Sequence, residues 1–263
     1  MEETLEFPDL LRLIDERSAA FRAVIAAAPS LDVQVPTCPE WTLFDLAEHI
    51  GVGRLSWAAT VAAGPDAPAK VEAENAPATP REREALTAWL AASTQELLDA
   101  LREAGPDRGC WTWWETSQSP CTVRSVARHQ LQQFVVHTYD AQLTVGTPEP
   151  LPEQMALDGV EEFLFTCCAT TVAWPYEPAV VDHHATEGRS WRLWLSADGA
   201  RIARRPAPGS PDTDEGPDAA DVSVQGSASD LVLLFYGRIP LDSVKTDGDR
   251  RIYDQVVAWD PDA

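Results

Sequence analysis

The sequence predicts an α+β protein in which a helix bundle, residues 1–147, precedes a small mixed α+β domain, residues 148–263, and three observations predict it. Up to Thr144 apolar residues recur at helical spacing. From Pro178 the texture changes to short runs that alternate apolar and polar residues, as half-buried strands do. A length of 263 residues is near the upper size for one core and comfortable for two.

The first helix is read from Pro8 to Ala28, with Leu10, Leu11, Ile14, Phe21 and Ile25 on one face and Pro29 ending it. A loop through Pro36, Cys38 and Pro39 leads to Thr42, which can cap a second helix with Asp45 at its third position, the pattern of a capping box. That helix runs to Ala63, and a Pro- and Ala-rich linker, Gly64 to Pro80, follows. Thr79-Pro80-Arg81-Glu82 is expected to start the third helix, Thr79 as cap and Pro just inside, running to Ala104. The segment Cys110-Trp-Thr-Trp-Trp-Glu is too aromatic for a surface loop, so its tryptophans are expected to serve as core or pocket wall. A fourth helix spans Thr122 to Thr144, and a fifth, Pro152 to Thr170, carries Met155, Leu157, Val160, Phe163 and Leu164 on its apolar face.

In the second domain, Trp191 to Leu195, Arg201 to Arg204 and Val222 to Gln225 read as strands, with an acidic Pro/Gly loop, Ser210 to Ala220, among them. Helices follow after Ser227 and after Gly248-Asp249. His183-His184 stands among acidic residues, where an exposed loop is expected.

Composition narrows the function classes. Lys and Arg number 20 against 42 Asp and Glu, a net charge of −22 that repels phosphate backbones and excludes nucleic acid as a partner. No apolar run approaches the roughly 20 residues of a membrane helix, and the start Met1-Glu-Glu-Thr-Leu-Glu lacks a basic segment followed by an apolar one, so a cytoplasmic location is expected. Five cysteines without a C-x-x-C pair fit packing in a reducing compartment. The partner expected is a small-molecule substrate, for a monomer or small homo-oligomer.

Five histidines are the main candidates for chemistry. His129, Gln133 and His137 stand at i, i+4 and i+8 on the fourth helix, and His49 lies on the second, four residues after Asp45. Histidines from two helices can build a metal site with an open position. Spacing alone favours histidines hydrogen-bonded inside a bundle, and it favours Asp45 as a cap over Asp45 as a ligand.

The block Pro36-Thr-Cys-Pro-Glu-Trp-Thr-Leu-Phe-Asp-Leu-Ala-Glu-His-Ile-Gly51 resembles the start of helix two in the mycothiol-dependent maleylpyruvate isomerase family, a branch of the DinB/YfiT-like metal-binding bundles. Cys110-Trp-Thr-Trp-Trp, Val136-His-Thr-Tyr-Asp-Ala-Gln142 and Val224 through Pro240 with Gly248-Asp249 agree in order, so the similarity covers nearly the whole chain. The resemblance implies a DinB-like four-helix bundle followed by a small α+β domain resembling a sterol-carrier fold, with the fifth helix at the junction or in the second domain. It implies a divalent metal, typically zinc, on His49, His137 and a glutamate four residues before the latter; here that position is Gln133, with Gln132 where relatives often carry His. A neutral amide binds zinc less tightly than a carboxylate and leaves the ion more Lewis-acidic. Three arrangements stay open: Gln133 ligates through its carbonyl, His129 substitutes, or no metal binds.

The thiol co-substrate implied is mycothiol, whose thiolate adds to a conjugated double bond, permits rotation and is eliminated, or is transferred to an electrophile and retained. Asp140, three residues after His137, can orient a ligand imidazole or a substrate group, or stand in a surface or junction salt bridge. Arg54, Arg124 and Arg238 are candidates for binding a substrate carboxylate, and Arg238 is also the candidate for co-substrate binding, although an arginine after a helix end reads equally as a C-cap or an interdomain pair. The leading expectation is therefore a metal-assisted, mycothiol-dependent isomerase or S-transferase. The alternatives are a Trp-lined cavity that binds a small molecule without chemistry, and a metal-free enzyme using His137 or His49 as a base.

Overall fold

A computed structural model describes residues 5–67, 69–71, 78–205 and 219–259. The first four residues, the centre of the Pro- and Ala-rich linker and most of the acidic loop from Ser210 lie outside the described residues. The chain divides into two compact units, Met1–Trp113 with Pro120–Leu151, and Trp114–Ser119 with Pro152–Ala263.

The first unit is built on four helices, α1 (Phe7–Ala27), α2 (Leu43–Ala63), α3 (Arg83–Ala104) and α4 (Val123–Thr144). Helix α1 packs on α3 and α4, and α2 packs on α3. The apolar stripe read in the sequence is the buried face of α1, where Leu10, Ile14, Phe21 and Ile25 lose essentially all solvent contact. Helix α2 starts with the expected capping box: Asp45 N–H donates to Thr42 Oγ1 at 3.3 Å, and Thr42 N–H donates to Asp45 Oδ2 at 2.8 Å. The Thr42 hydroxyl also donates to Asp45 Oδ2, at 2.6 Å, and this bond, followed by the one from the Thr42 N–H, holds the Asp45 carboxyl below its ordinary pKa. Its side chain is thus committed to the helix start. Helices α2 and α3 approach so closely at Gly51 that a Cβ there would lie 2.0 Å from the Trp89 ring.

Two expectations for this unit are corrected. Helix α3 begins at Arg83 rather than at Pro80, because the Glu82 carboxylate, not Thr79, accepts from the free Glu84 and Ala85 N–H groups. The loop before α2 is a hairpin, β1 (Gln34–Val35) paired antiparallel with β2 (Cys38–Thr42) through an irregular register. Its two-residue first strand and its prolines give no alternation to read. The aromatic segment is divided in its exposure: Trp114 is buried, whereas Trp113 is 45% exposed and so is not core.

In the second unit, α5 (Glu153–Phe163) continues as a π-helical turn, Leu164–Cys168, where the sequence suggested an unbroken α-helix. Five strands follow in the order β5-β4-β3-β6-β7. They are β3 (Ala179–Ala185), β4 (Ser190–Ser196), β5 (Gly199–Arg205), β6 (Val222–Gly226) and β7 (Lys245–Gly248), with β3 and β6 parallel and every other pair antiparallel. Helices α6 (Ala228–Phe235) and α7 (Arg250–Ala258) complete the unit. The first is capped by Ser227, the second by Asp249.

His183-His184 is the largest correction: it is not an exposed loop but the middle of the central strand β3, with His183 only 2% exposed. The polar run Asp182-His-His conceals a strand because Asp182 and His184 find their partners on other strands of the sheet. Asp182 takes two 2.7 Å bonds from its cross-strand partner Arg192 and a third, at 3.1 Å, from Arg205. His184 pairs with Ser190 at 2.8 Å. Burial pushes the Asp182 carboxyl up, but the two arginines outweigh it and leave the group below its usual range.

Candidate active site

The hairpin β1–β2, the first half of α2 and the second half of α4 meet around two imidazoles in the first unit. The His49 and His137 rings lie 5.3 Å apart, centroid to centroid, in an edge-on arrangement. Trp41, on β2, covers both, 4.7 Å from His49 and 6.4 Å from His137. The capping box sets the start of α2, so His49 is placed by local sequence; the contact with His137 is tertiary.

Asp140 is fully buried one turn after His137, and its Oδ2 accepts from His137 Nδ1 at 2.9 Å. Its Oδ1 accepts from Thr37 Oγ1 at 2.7 Å, so the hairpin turn supplies a second bond to the same carboxylate. Because an ionised carboxylate has no proton to give, it places the proton of a neutral His137 ring on Nδ1 and the ring's lone pair on Nε2. Partial burial first, and then repulsion from the His137 imidazole when that ring is protonated, lower the His49 pKa to about 4. His49 is therefore neutral near pH 7, although part of its surface meets solvent.

Gln133 lies on α4 one turn before His137 and is partly exposed, while Gln132 is fully buried. Among the described residues no group of three or more His, Cys, Asp or Glu side chains is placed to hold a metal ion. A third ligand beside His49 and His137 would have to come from another donor type, such as the Gln133 amide. His129, two turns from His137, packs instead edge-on against Trp57 at 6.3 Å and Trp113 at 5.8 Å. It belongs to an aromatic cluster rather than to the imidazole pair.

The three candidate arginines separate. Arg54, on α2, is 2% exposed; its Nη1 donates to Gln130 Oε1 at 2.7 Å and its guanidinium lies 3.9 Å from the Phe134 ring centre. Among the described residues its Nε and Nη2 are buried without a hydrogen-bond partner, and burial lowers its pKa to about 9. Arg124 forms a 3.5 Å pair with Glu6 through exposed side chains, so it is a surface ion pair. Arg238 belongs to the second unit, where its Nη1 donates to the Tyr236 carbonyl at 2.6 Å just after α6, as a residue closing a helix does.

Thr37 and Trp41 are the site residues that sequence reasoning passed over. Both lie inside the block Pro36 to Gly51, and the signal that could have found them was the compactness of that block: a short loop joined to a capped helix start brings its polar and aromatic members beside His49.

Residues 11–142 match the family model described as the mycothiol maleylpyruvate isomerase N-terminal domain, and residues 154–255 match that of the C-terminal domain. No curated protein matches the chain. Among solved structures, the chain resembles a mycothiol-dependent maleylpyruvate isomerase at a TM-score of 0.55 and 14% identity, covering 92% of this chain and 93% of the other. A histidine-to-alanine variant of such an isomerase matches at 0.54 and 13% identity with the same coverage. At that identity the likeness establishes the fold.

Proposed function

Because the chain belongs to the mycothiol maleylpyruvate isomerase family, we propose that it is a mycothiol-dependent isomerase or thiol S-transferase acting on a small electrophilic or conjugated metabolite around His49, Gln133, His137 and Asp140. The observation that carries this reading is the imidazole pair with one ring locked: His137 is held by a buried carboxylate while its ring lies 5.3 Å from that of His49. The pair fits a divalent metal such as zinc, because a carboxylate on Nδ1 is how ligand histidines are oriented and made more basic. His49 and His137 would hold the ion, with the Gln133 carbonyl as a neutral third donor. A divalent cation there would supply positive charge beside the thiol and lower its pKa.

The chain's own groups have definable roles. Asp140 keeps His137 in one tautomer and compensates positive charge on its ring. Thr37 keeps the carboxylate in place. Trp41 excludes water from one side of the pair and offers an apolar wall to an unsaturated substrate. In isomerisation the thiolate sulfur bonds to one olefinic carbon and the π pair shifts onto the conjugated carbonyl. The new single bond rotates, and return of the pair expels the same thiolate, so no atom is gained or lost. In S-transfer the sulfur–carbon bond is retained: after conjugate addition the enolate carbon takes up a proton, and in a displacement the leaving group departs with its bonding pair.

A second reading is a metal-free member that binds, isomerises or cyclises a small molecule, with His49 or His137 as general base. The neutral amide at position 133 favours it. Elemental analysis of protein purified without chelators, beside His49→Ala and a turnover assay with and without mycothiol, tests both. Near-stoichiometric metal that the variant loses, with thiol-dependent turnover abolished by a chelator, supports the first. Turnover that survives chelation and needs no thiol overturns it in favour of the second.

A further inference from the structure

The second unit contains a cavity of about 220 Å³ whose wall, among the described residues, carries no Asp, Glu, Lys or Arg. Phe163 and Cys168 come from the end of α5 and its π-helical turn, His183 and Leu193 from β3 and β4, Phe235 from α6 and Tyr253 from α7. The π turn places both Cys167 and Cys168 on the wall. Burial, then the negative charge of Glu162, pushes the Cys168 thiol up to about 12, so it is a packing group there and not a nucleophile.

His183 stands out in a wall whose other polar groups are the Cys167 and Cys168 thiols, the Tyr253 hydroxyl and the Trp259 indole. It is 2% exposed, lies edge-on to Phe235 at 5.3 Å, and its Nδ1 is buried with no hydrogen-bond partner among the described residues. A polar nitrogen left unpaired in a largely apolar wall is unfavourable, and a ligand that pairs with it removes that cost. Burial lowers its pKa to about 4, so near pH 7 the ring is neutral and offers one donor and one acceptor.

We propose that this cavity is a binding site for a neutral one-ring aromatic molecule bearing a hydroxyl group, a phenol in the simplest case, with the ring among Phe163, Phe235 and Tyr253 and the hydroxyl on His183. Size sets the ring count, since an apolar cavity of about 150 Å³ accepts benzene, and the remaining volume admits a few substituent atoms. The uncharged wall sets the charge: a carboxylate or ammonium would enter without a partner for its lost hydration. The unpaired imidazole sets the hydroxyl. The site lies within the second unit and stands independently of the function proposed for the first.

Full-length protein titrated with para-cresol, toluene and para-toluate tests this, with calorimetry and the ¹⁵N imidazole resonances of His183 as readouts. Saturable cresol binding is expected, with toluene weaker by roughly three- to tenfold for the loss of one hydrogen bond, and no toluate binding. The His183 ¹⁵N resonances should move with cresol and not with toluene. His183→Phe should bring cresol down to the toluene affinity, Leu193→Trp should abolish both by filling the cavity, and His49→Ala should change neither. No saturable binding of cresol, equal affinity for cresol and toluene, or unmoved His183 resonances in the unmutated protein would each overturn the assignment, whatever the variants do.

Discussion

His137 and Asp140, one helical turn apart on α4, are joined by a 2.9 Å hydrogen bond from Nδ1 to a carboxylate that solvent does not reach. Burying an anion is costly unless it is paired and hydrogen-bonded, and here Thr37 adds the second bond at 2.7 Å. A charge kept inside a bundle on those terms imposes one tautomer and one orientation on its histidine.

Asp140→Asn should therefore disturb chemistry more than folding. Thiol-dependent turnover is expected to fall about 10- to 100-fold, the usual cost of losing a carboxylate behind a ligand histidine. Steady-state kinetics beside a thermal melt separates the two effects. Unchanged turnover in a folded variant would remove Asp140 from the positioning role.

Gln133→Glu restores an anionic oxygen one turn before His137. Zinc affinity, measured by competition with a chromophoric chelator, should rise about tenfold or more. No gain would mean that residue 133 does not face the imidazole pair.

Arg54 is a buried cation whose Nε and Nη2 lack hydrogen-bond partners among the described residues. Replacing it and Gln130 together, Arg54→Met with Gln130→Leu, should leave stability unchanged or raise it by about 1–3 kcal/mol, as found when buried ionic groups give way to apolar ones of similar volume. Urea unfolding reads this directly. A large loss would show that the guanidinium is compensated by more than Gln130 and Phe134.

Gly51→Ala should cost about 1–3 kcal/mol, because the added methyl would stand 2.0 Å from Trp89 where α2 meets α3. Combining it with Trp89→Leu should recover most of that loss in the same denaturation experiment. If the single variant is as stable as the parent, the close approach of the two helices is not fixed by this glycine.

His183 predicts an acid-sensitive second unit. Its folded pKa, about 4, is depressed from 6.5, so its contribution is complete above pH 6.5 and is lost as pH falls toward 4. At about 1.4 kcal/mol per pH unit the loss reaches roughly 3 kcal/mol. Thermal midpoints recorded across that window should fall with acid, and His183→Phe should flatten the slope.

What could be read in advance divides by the range of the interaction. Thr42 with Asp45, Thr122, Ser227 and Asp249 announced their helix starts, because a cap is a contact between residues two or three apart. The cap of α3 was misplaced because Pro80 also suits a helix start, while Glu82 caps with a side chain ordinarily assigned to the first turn. Strand β3 is hidden because its middle is Asp-His-His, polar in sequence, with partners for Asp182 and His184 that come from other strands, Arg192, Arg205 and Ser190.

By itself, then, the sequence determined the helices of the bundle, three strands of the sheet, and the names of the residues that could carry chemistry. Periodicity and capping are local, and local energies are encoded residue by residue. Only the tertiary structure decided that Thr37 reaches Asp140 across 103 positions, that His49 and not His129 stands beside His137, and that His183 looks into an apolar cavity instead of solvent. Those are contacts between distant segments, chosen by how whole elements pack, and no pattern within a single segment specifies them.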